Sequence, residues 1–222
     1  MALLVPAFVR PSADWHIYTH AIDRDALTTA REDLARVDLQ LLAMIDTASA
    51  FLREQGHEVT SRVLVQGYSA SGMFANRFAL LHPERVMAVA AGSPGGWPLA
   101  PFARREGVEL PWPAGVADLD GLVGRPFEFE TWRAVPQLIV MGSTDDNDSL
   151  NFEDGWDPEH AAIVNRLFGA TPIERWGPSE RLYREAGAQA EFLLVDGVGH
   201  DRRALQRHTT DFFRRILASQ RR

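Results

Sequence analysis

The sequence predicts an α/β protein with a mostly parallel central sheet and helices on both faces. Short apolar runs alternate along the chain with longer segments whose apolar residues recur at helical spacing. The short runs lack polar alternation, which is typical of strands buried on both faces of a parallel sheet. With 222 residues, 45% of them hydrophobic, the chain is long enough for a substantial core. We therefore expect one domain over residues 1–222.

The predicted strands are apolar runs that end at a glycine, a proline or a polar residue. The first one ends at Pro6 and is interpreted as a buried strand. The five predicted strands cover residues 2–5, 62–66, 86–91, 137–141 and 191–195.

The predicted helices end at glycine or before proline, as helices commonly do. The second one begins directly after Gly67 and ends at His82-Pro83. The helices are expected over residues 34–52, 70–82, 157–168, 179–186 and 205–217. Residues 92–136 are rich in proline, glycine and tryptophan without a long periodic segment, so we expect a lid-like insertion there.

The composition excludes several function classes. A net charge of −7 argues against a nucleic-acid or anionic-membrane partner. With no cysteine, the chain forms no disulfide, thiolate nucleophile or zinc-thiolate site. No run of about 18 apolar residues is present, and the N-terminal apolar run is too short for a signal peptide. A cytoplasmic protein is therefore expected.

A sharp strand-to-helix turn at residues 67–72 is the strongest chemical signal. Its sequence, Gly-Tyr-Ser-Ala-Ser-Gly, fits a nucleophile elbow centred on Ser69. Such a turn needs small residues two places before and after its centre, where Gly67 and Ser71 stand; Ser71 replaces the usual glycine. A glycine-rich turn without chemistry is the alternative, but the strand before and the helix after it favour the elbow.

Two later loops supply the partners in the order serine, acid, histidine. His200 follows the last predicted strand, and three carboxylates follow the strand at 137–141. All these loops leave the carboxyl edge of the sheet, where Ser69 lies. Asp145 is the preferred acid, Asp148 the second choice and Asp146 the third.

These segments resemble the α/β-hydrolase superfamily. The likeness rests on Gly-Tyr-Ser-Ala-Ser-Gly-Met at residues 67–73, Gly-Ser-Pro-Gly-Gly-Trp at 92–97, and the Gly-x-x-Asp and Gly-x-Gly-His-Asp loops ending at 145 and 201. The elbow is most similar to that of the polyhydroxybutyrate-depolymerase and feruloyl-esterase group. The resemblance implies ester hydrolysis with Ser69, Asp145 and His200 as the triad.

The sequence identifies one donor of the oxyanion hole and leaves two alternatives for the second. Enzymes of this superfamily take one donor from the N–H after the nucleophile, here Ala70, and the other from a loop after an earlier strand. Either residues 5–8 supply that loop, with Ala7 or Phe8 as donor because Pro6 has no N–H, or the chain starts one strand late. A late start would also leave a sheet edge uncovered, which a second copy in a homodimer could cover.

Two aromatic residues are candidates for substrate contact. Trp97 follows the strand next after the elbow and would line an acyl or aryl pocket, or else pack the long loop. Tyr68 stands beside the nucleophile, where packing is the alternative. No metal site is expected, because the acidic run 145–157 lacks the calcium-loop pattern and His16 and His20 lack a third ligand.

The resulting expectation is acyl transfer to water on a small ester of short to medium acyl chain, without metal or organic cofactor. An amidase, peptidase or thioesterase with the same triad is the alternative within enzymes. A catalytically idle hydrolase fold that binds a ligand or partner is the alternative outside them.

Overall fold

The central sheet consists of four parallel strands. The computed structural model describes residues 2–220. In that range the strands are β1 (Val63–Tyr68), β2 (Val86–Gly92), β3 (Arg104–Arg105), β4 (Val108–Glu109), β5 (Gln137–Gly142) and β6 (Ala190–Val195). The sheet order is β1-β2-β5-β6, whereas β3 and β4 form a separate antiparallel hairpin. All four carboxyl ends therefore point to one edge.

Helices cover both faces of this sheet, as predicted. They are α1 (Arg24–Thr28), α2 (Val37–Glu54), α3 (Ala70–Leu81), α4 (Leu119–Val123), α5 (Phe129–Arg133), α6 (Pro158–Phe168), α7 (Pro172–Glu185) and α8 (Arg202–Ser219). Side chains of α2, α3 and α7 pack with Val65, Val89 and Ile139 on one face. Those of α8 pack with Ala88 and Val140 on the other. The alternation of these strand residues is the period-2 pattern of a sheet with two buried faces.

The prediction of a strand at residues 2–5 is wrong. These residues are irregular, and Leu3, Leu4 and Val5 are 79%, 41% and 77% exposed. A four-residue run that ends at Pro6 can form few ladder hydrogen bonds, too few to offset the entropy of ordering it. Among residues 2–220, β1 therefore has a strand neighbour on one side only.

Helix α7 begins seven residues earlier than the predicted start at 179. Pro172 occupies its first turn, and Thr171 Oγ1 accepts the N–H of Glu174 at 3.3 Å. The Glu174 carboxylate in turn accepts the N–H of Ala170 at 2.7 Å. These contacts cap the helix N-terminus and stabilise its first turns, although Gly177 and Pro178 are poor helix formers.

Residues 92–136 connect β2 to β5 and contribute to two of the core clusters. Trp112 and Trp132 are fully buried in the cluster beneath α3, and Leu110 and Ala114 join the cluster beneath α6. Apart from the short hairpin and the short helices α4 and α5, the segment is irregular, as predicted. Within residues 2–220, no helix has both the length and the apolar character needed to cross a membrane.

Candidate active site

Ser69 lies at the sharp turn between β1 and α3. Its φ of 58° and ψ of −125° fall where a residue with a side chain is strained. A Cβ on Gly67 would lie 1.7 Å from the Ser71 carbonyl oxygen, so only glycine fits there. The Ser69 N–H donates to the Gly92 carbonyl on the neighbouring strand at 2.9 Å. The turn therefore has the geometry of a nucleophile elbow.

Ser71, which departs from the usual glycine, has its own function in the turn. The Ser71 hydroxyl donates to the Tyr68 carbonyl at 2.8 Å and accepts the Tyr68 N–H at 2.9 Å. Its side chain thus bridges both ends of the residue before Ser69. The sequence pattern indicates only the need for a small residue at this position, not these hydrogen bonds.

Asp145 and His200 are hydrogen-bonded to each other at the carboxyl edge of the sheet. His200 Nδ1 lies 3.0 Å from each carboxylate oxygen of Asp145. The Asp145 side chain is 2% exposed and that of His200 is 25% exposed. Since a carboxylate can only accept, Nδ1 carries the proton and Nε2 is left as the basic nitrogen.

The other two carboxylates of the loop do not contact His200. Asp148 forms a buried ion pair with Arg175, and its Oδ1 also accepts the Leu150 N–H at 3.1 Å. Asp146 is exposed to solvent. Of the three acids weighed from the sequence, the structure brings Asp145 to His200.

Tyr68 packs against His200. The two ring centroids are 4.7 Å apart at an interplanar angle of 45°. Burial raises the pKa of Tyr68 to about 12, so the phenol stays neutral near pH 7. Among the described residues, no hydrogen bond joins the Ser69 hydroxyl to His200; such bonds often form only in the complex with substrate.

Two backbone groups are relevant to the expected oxyanion hole. Ala70 is the first residue of α3, so its N–H has no acceptor within the helix. Phe8 stacks on Phe74 of α3 with centroids 5.2 Å apart. Its carbonyl accepts from His20 Nε2 at 3.2 Å, and Thr19 Oγ1 donates to the next carbonyl, that of Val9, at 2.9 Å. Although residues 2–5 form no strand, Phe8 is thus held beside the helix that follows Ser69.

Trp97 is buried and packs the core, which agrees with the packing alternative and not with a pocket wall. It is 2% exposed, stacks on Phe168 at 4.6 Å and donates its indole N–H to the Ala114 carbonyl at 3.2 Å. It therefore presents no surface to a substrate in this conformation. In the part of the chain that the structure describes, no three His, Asp or Glu side chains are grouped closely enough to hold a metal ion.

Comparison with solved structures supports the architecture described above. No protein-family model and no curated sequence matches this chain. Among solved structures, it is similar to poly(aspartic acid) hydrolase-1 from Sphingomonas sp. KT-1, with a TM-score of 0.59 and 17% identity over 91% of this chain and 71% of that one. It is also similar to a poly(3-hydroxybutyrate) depolymerase from Bordetella parapertussis, with a TM-score of 0.54 and 23% identity over 90% of this chain and 64% of that one. At such identities the likeness concerns the fold: this chain has the α/β-hydrolase fold.

Proposed function

We propose that the chain is a serine hydrolase that cleaves carboxylic esters through an acyl-enzyme on Ser69. The observation that carries the proposal is the hydrogen-bonded pair of Asp145 and His200 at the sheet edge where the strained turn presents Ser69. A nucleophile, a base and a group that orients the base are the three parts that activated-serine catalysis requires.

In the proposed mechanism the Ser69 hydroxyl attacks the ester carbonyl while His200 Nε2 takes its proton. His200 then returns this proton to the alcohol as the C–O bond breaks, which leaves the acyl group on Ser69. Water attacks that acyl-enzyme with His200 again as base, and His200 returns the proton to the Ser69 oxygen as its bond to the acyl group breaks and the acid is released. Asp145, buried and bonded to Nδ1, holds the imidazole ring in the required tautomer and stabilises the imidazolium.

The tetrahedral oxyanion would be bound by the N–H of Ala70, which is free at the start of α3 and is favoured by the helix dipole. We assign the second donor to Phe8, whose stacking on Phe74 supports this role. Loss of one such donor lowers rates by about 10²–10³-fold, so this assignment affects how fast the enzyme is.

We propose small esters of short to medium acyl chain as substrates. An amide or thioester could react at the same triad, and the two similar structures are named as a poly(aspartic acid) hydrolase and a polyester depolymerase. The fold accommodates many substrates, so hydrolysis has to be measured for each class.

The test is hydrolysis by the purified chain of matched p-nitrophenyl esters, p-nitroanilides and thioesters with acetyl to octanoyl groups. We expect esters to be cleaved fastest, and Ser69→Ala to lower kcat about 10⁴-fold or more. Ser61→Ala, at an exposed serine before β1, is the matched control and should keep wild-type activity.

Faster cleavage of amides or thioesters would replace the ester assignment and keep the triad. Equal activity in wild type and Ser69→Ala would overturn the triad itself. Hydrolysis of none of the substrates by the folded wild type would favour the catalytically idle binding module instead.

A further inference from the structure

Arg175 is a fully buried arginine outside the triad, and all its contacts are made within the protein. It lies in α7 at 0% exposure. Its Nη1 donates to Asp148 Oδ1 at 2.9 Å and its Nη2 donates to Asp148 Oδ2, which is a two-pronged ion pair. The other donors reach the carbonyls of residues 96, 169 and 170 and the side chain of Asn165 at 2.9–3.2 Å.

These contacts tie together three connections at the carboxyl side of the sheet. One is the loop after β2, reached through Gly96; another is the loop after β5, reached through Asp148; the third is the turn between α6 and α7. A Cβ on Gly96 would lie 3.1 Å from Arg175 Nη1 and 3.2 Å from Asp148 Oδ1, and its φ is +77°. Glycine is therefore required there, which gives the Gly-Gly pair at 95–96 a structural reason.

The loop after β5 is held at both ends, with Asp145 between them. At its start, the N–H groups of Ser143 and Thr144 donate to the carbonyls of Val195 and Val198 at 2.9 and 3.0 Å, next to the loop of His200. At its end, Arg175 holds Asp148, and the Ser149 hydroxyl donates to the Gly95 carbonyl at 2.7 Å. The path of Asp145 between the two anchors is short, so movement of either anchor moves its carboxylate.

We propose that Arg175 is a positioning residue of the reaction, which acts through Asp148 to fix the loop that holds the Asp145 carboxylate on His200. This inference rests on the proposed hydrolase function. Arginine is required because its planar fork binds both carboxylate oxygens and three carbonyls at once, whereas the lysine ammonium is a single point of donation.

The test compares Arg175→Lys with wild type in steady-state hydrolysis of a p-nitrophenyl ester, at a temperature where circular dichroism shows both to be folded. We expect kcat to fall about 10–100-fold while KM changes by less than about threefold, because misplacement of a catalytic group affects the chemical step. Arg36→Lys is the matched control. Arg36 pairs with buried Asp38, which also binds His82 at the end of α3 opposite to Ser69, and kcat should stay at the wild-type value.

A second readout does not depend on turnover. The Nδ1 proton of His200, bonded to a carboxylate, should give a resonance far downfield in the proton NMR spectrum. We expect Arg36→Lys to keep it and Arg175→Lys to shift or broaden it. If Arg175→Lys does not fold, the double variant Asp148→Asn/Arg175→Gln, which replaces the ion pair by an amide pair, takes its place in both measurements.

Wild-type kcat and an unchanged resonance in the folded Arg175 variant would overturn the positioning role and leave the hydrolase proposal intact. A wild type that hydrolyses none of the substrates but shows the resonance, sensitive to Arg175, would instead overturn the hydrolase proposal. The contact between Asp145 and His200 would then be maintained by Arg175 without serving a reaction.

Discussion

At the scale of single residues, the backbone of Ser69 is held in a strained conformation by its neighbours. Its left-handed φ of 58° is stabilised by the Gly92 carbonyl and by the close approach of Gly67 to the Ser71 carbonyl. Such strain persists only where the surrounding structure enforces it, and it is concentrated at functional sites. In a nucleophile elbow, this strained conformation is what exposes the serine hydroxyl at the carboxyl edge of the sheet.

A methyl group at position 67 tests this constraint. Gly67→Ala should destabilise the fold by about 3 kcal/mol or more, because its Cβ would meet backbone rather than a movable side chain. Gly121→Ala is the control, since an added Cβ at this exposed position in α4 meets nothing within 4 Å. Its stability in urea should stay within about 1 kcal/mol of wild type. Similar unfolding midpoints for both variants would contradict the tight turn.

The choice among the three carboxylates is also a residue-scale prediction. Asp145→Asn should lower kcat by about 10³–10⁴-fold, because an amide in place of the carboxylate favours the wrong histidine tautomer. Asp146→Asn makes the same chemical change one residue away at an exposed site and should leave kcat unchanged. Steady-state kinetics of both variants show which of the two carboxylates orients His200. A larger loss in Asp146→Asn would disprove the assignment.

At the scale of elements, a buried polar cluster joins the start of α2 to the end of α3. Asp38 accepts from His82 Nε2 at 2.9 Å and from Arg36 Nε and Nη2 at 3.0 and 2.8 Å. Burial by itself would raise the pKa of Asp38, but the hydrogen bonds from His82 and Arg36 outweigh it and hold the pKa at about 2. The ionised carboxylate of Asp38 therefore links the start of α2 to the end of α3 through its hydrogen bond with His82.

This cluster predicts an acid sensitivity. Because the pKa of Asp38 is lower in the folded chain than in the unfolded one, its contribution is complete above about pH 4 and is lost as pH falls towards 2. The lost stability amounts to about 2 kcal/mol. Urea unfolding at intervals from pH 5 to pH 2 should show a shallower loss in Asp38→Asn than in wild type. Parallel curves would contradict the lowered pKa.

The sequence predicted the long elements well and the irregular ones poorly. Helices α2, α3 and α8 show clear apolar spacing, and their predicted bounds agree with the structure to within three residues. The start of α7 depends on the cap formed by Thr171 and Glu174. Gly177 and Pro178 interrupt the helical pattern of the sequence after this cap, so the pattern alone places the start too late. The candidate site was likewise predicted only in part. Ser69 and His200 follow from the chain order of motifs, whereas the partner of Asp148 stands 27 residues away in α7.

At the scale of the whole molecule, residues 2–220 form one central sheet of four strands and one short hairpin. The chain spans 71% and 64% of the two similar solved structures. Strand β1 ends directly before Ser69. Within residues 2–220, β1 is also an edge strand, with no strand paired to its outer side. Exposed strand edges tend to pair with other chains.

A homodimer in which a second copy covers this edge, one of the alternatives that the sequence left open, stays a prediction. Sedimentation equilibrium over a range of micromolar concentrations should give a mass twice that of one chain. A mass equal to one chain at every concentration would contradict it. The outer edge of β1 would then have no second copy paired to it in solution.

The central claim is that Ser69 is an activated nucleophile, and covalent labelling tests it most directly. The purified chain is treated with a fluorophosphonate probe, and the modified peptide is identified by mass spectrometry. The account predicts one label per chain on Ser69, absent in Ser69→Ala and retained in Ser61→Ala. A folded wild type that stays unlabelled, or a label on another residue, would contradict it.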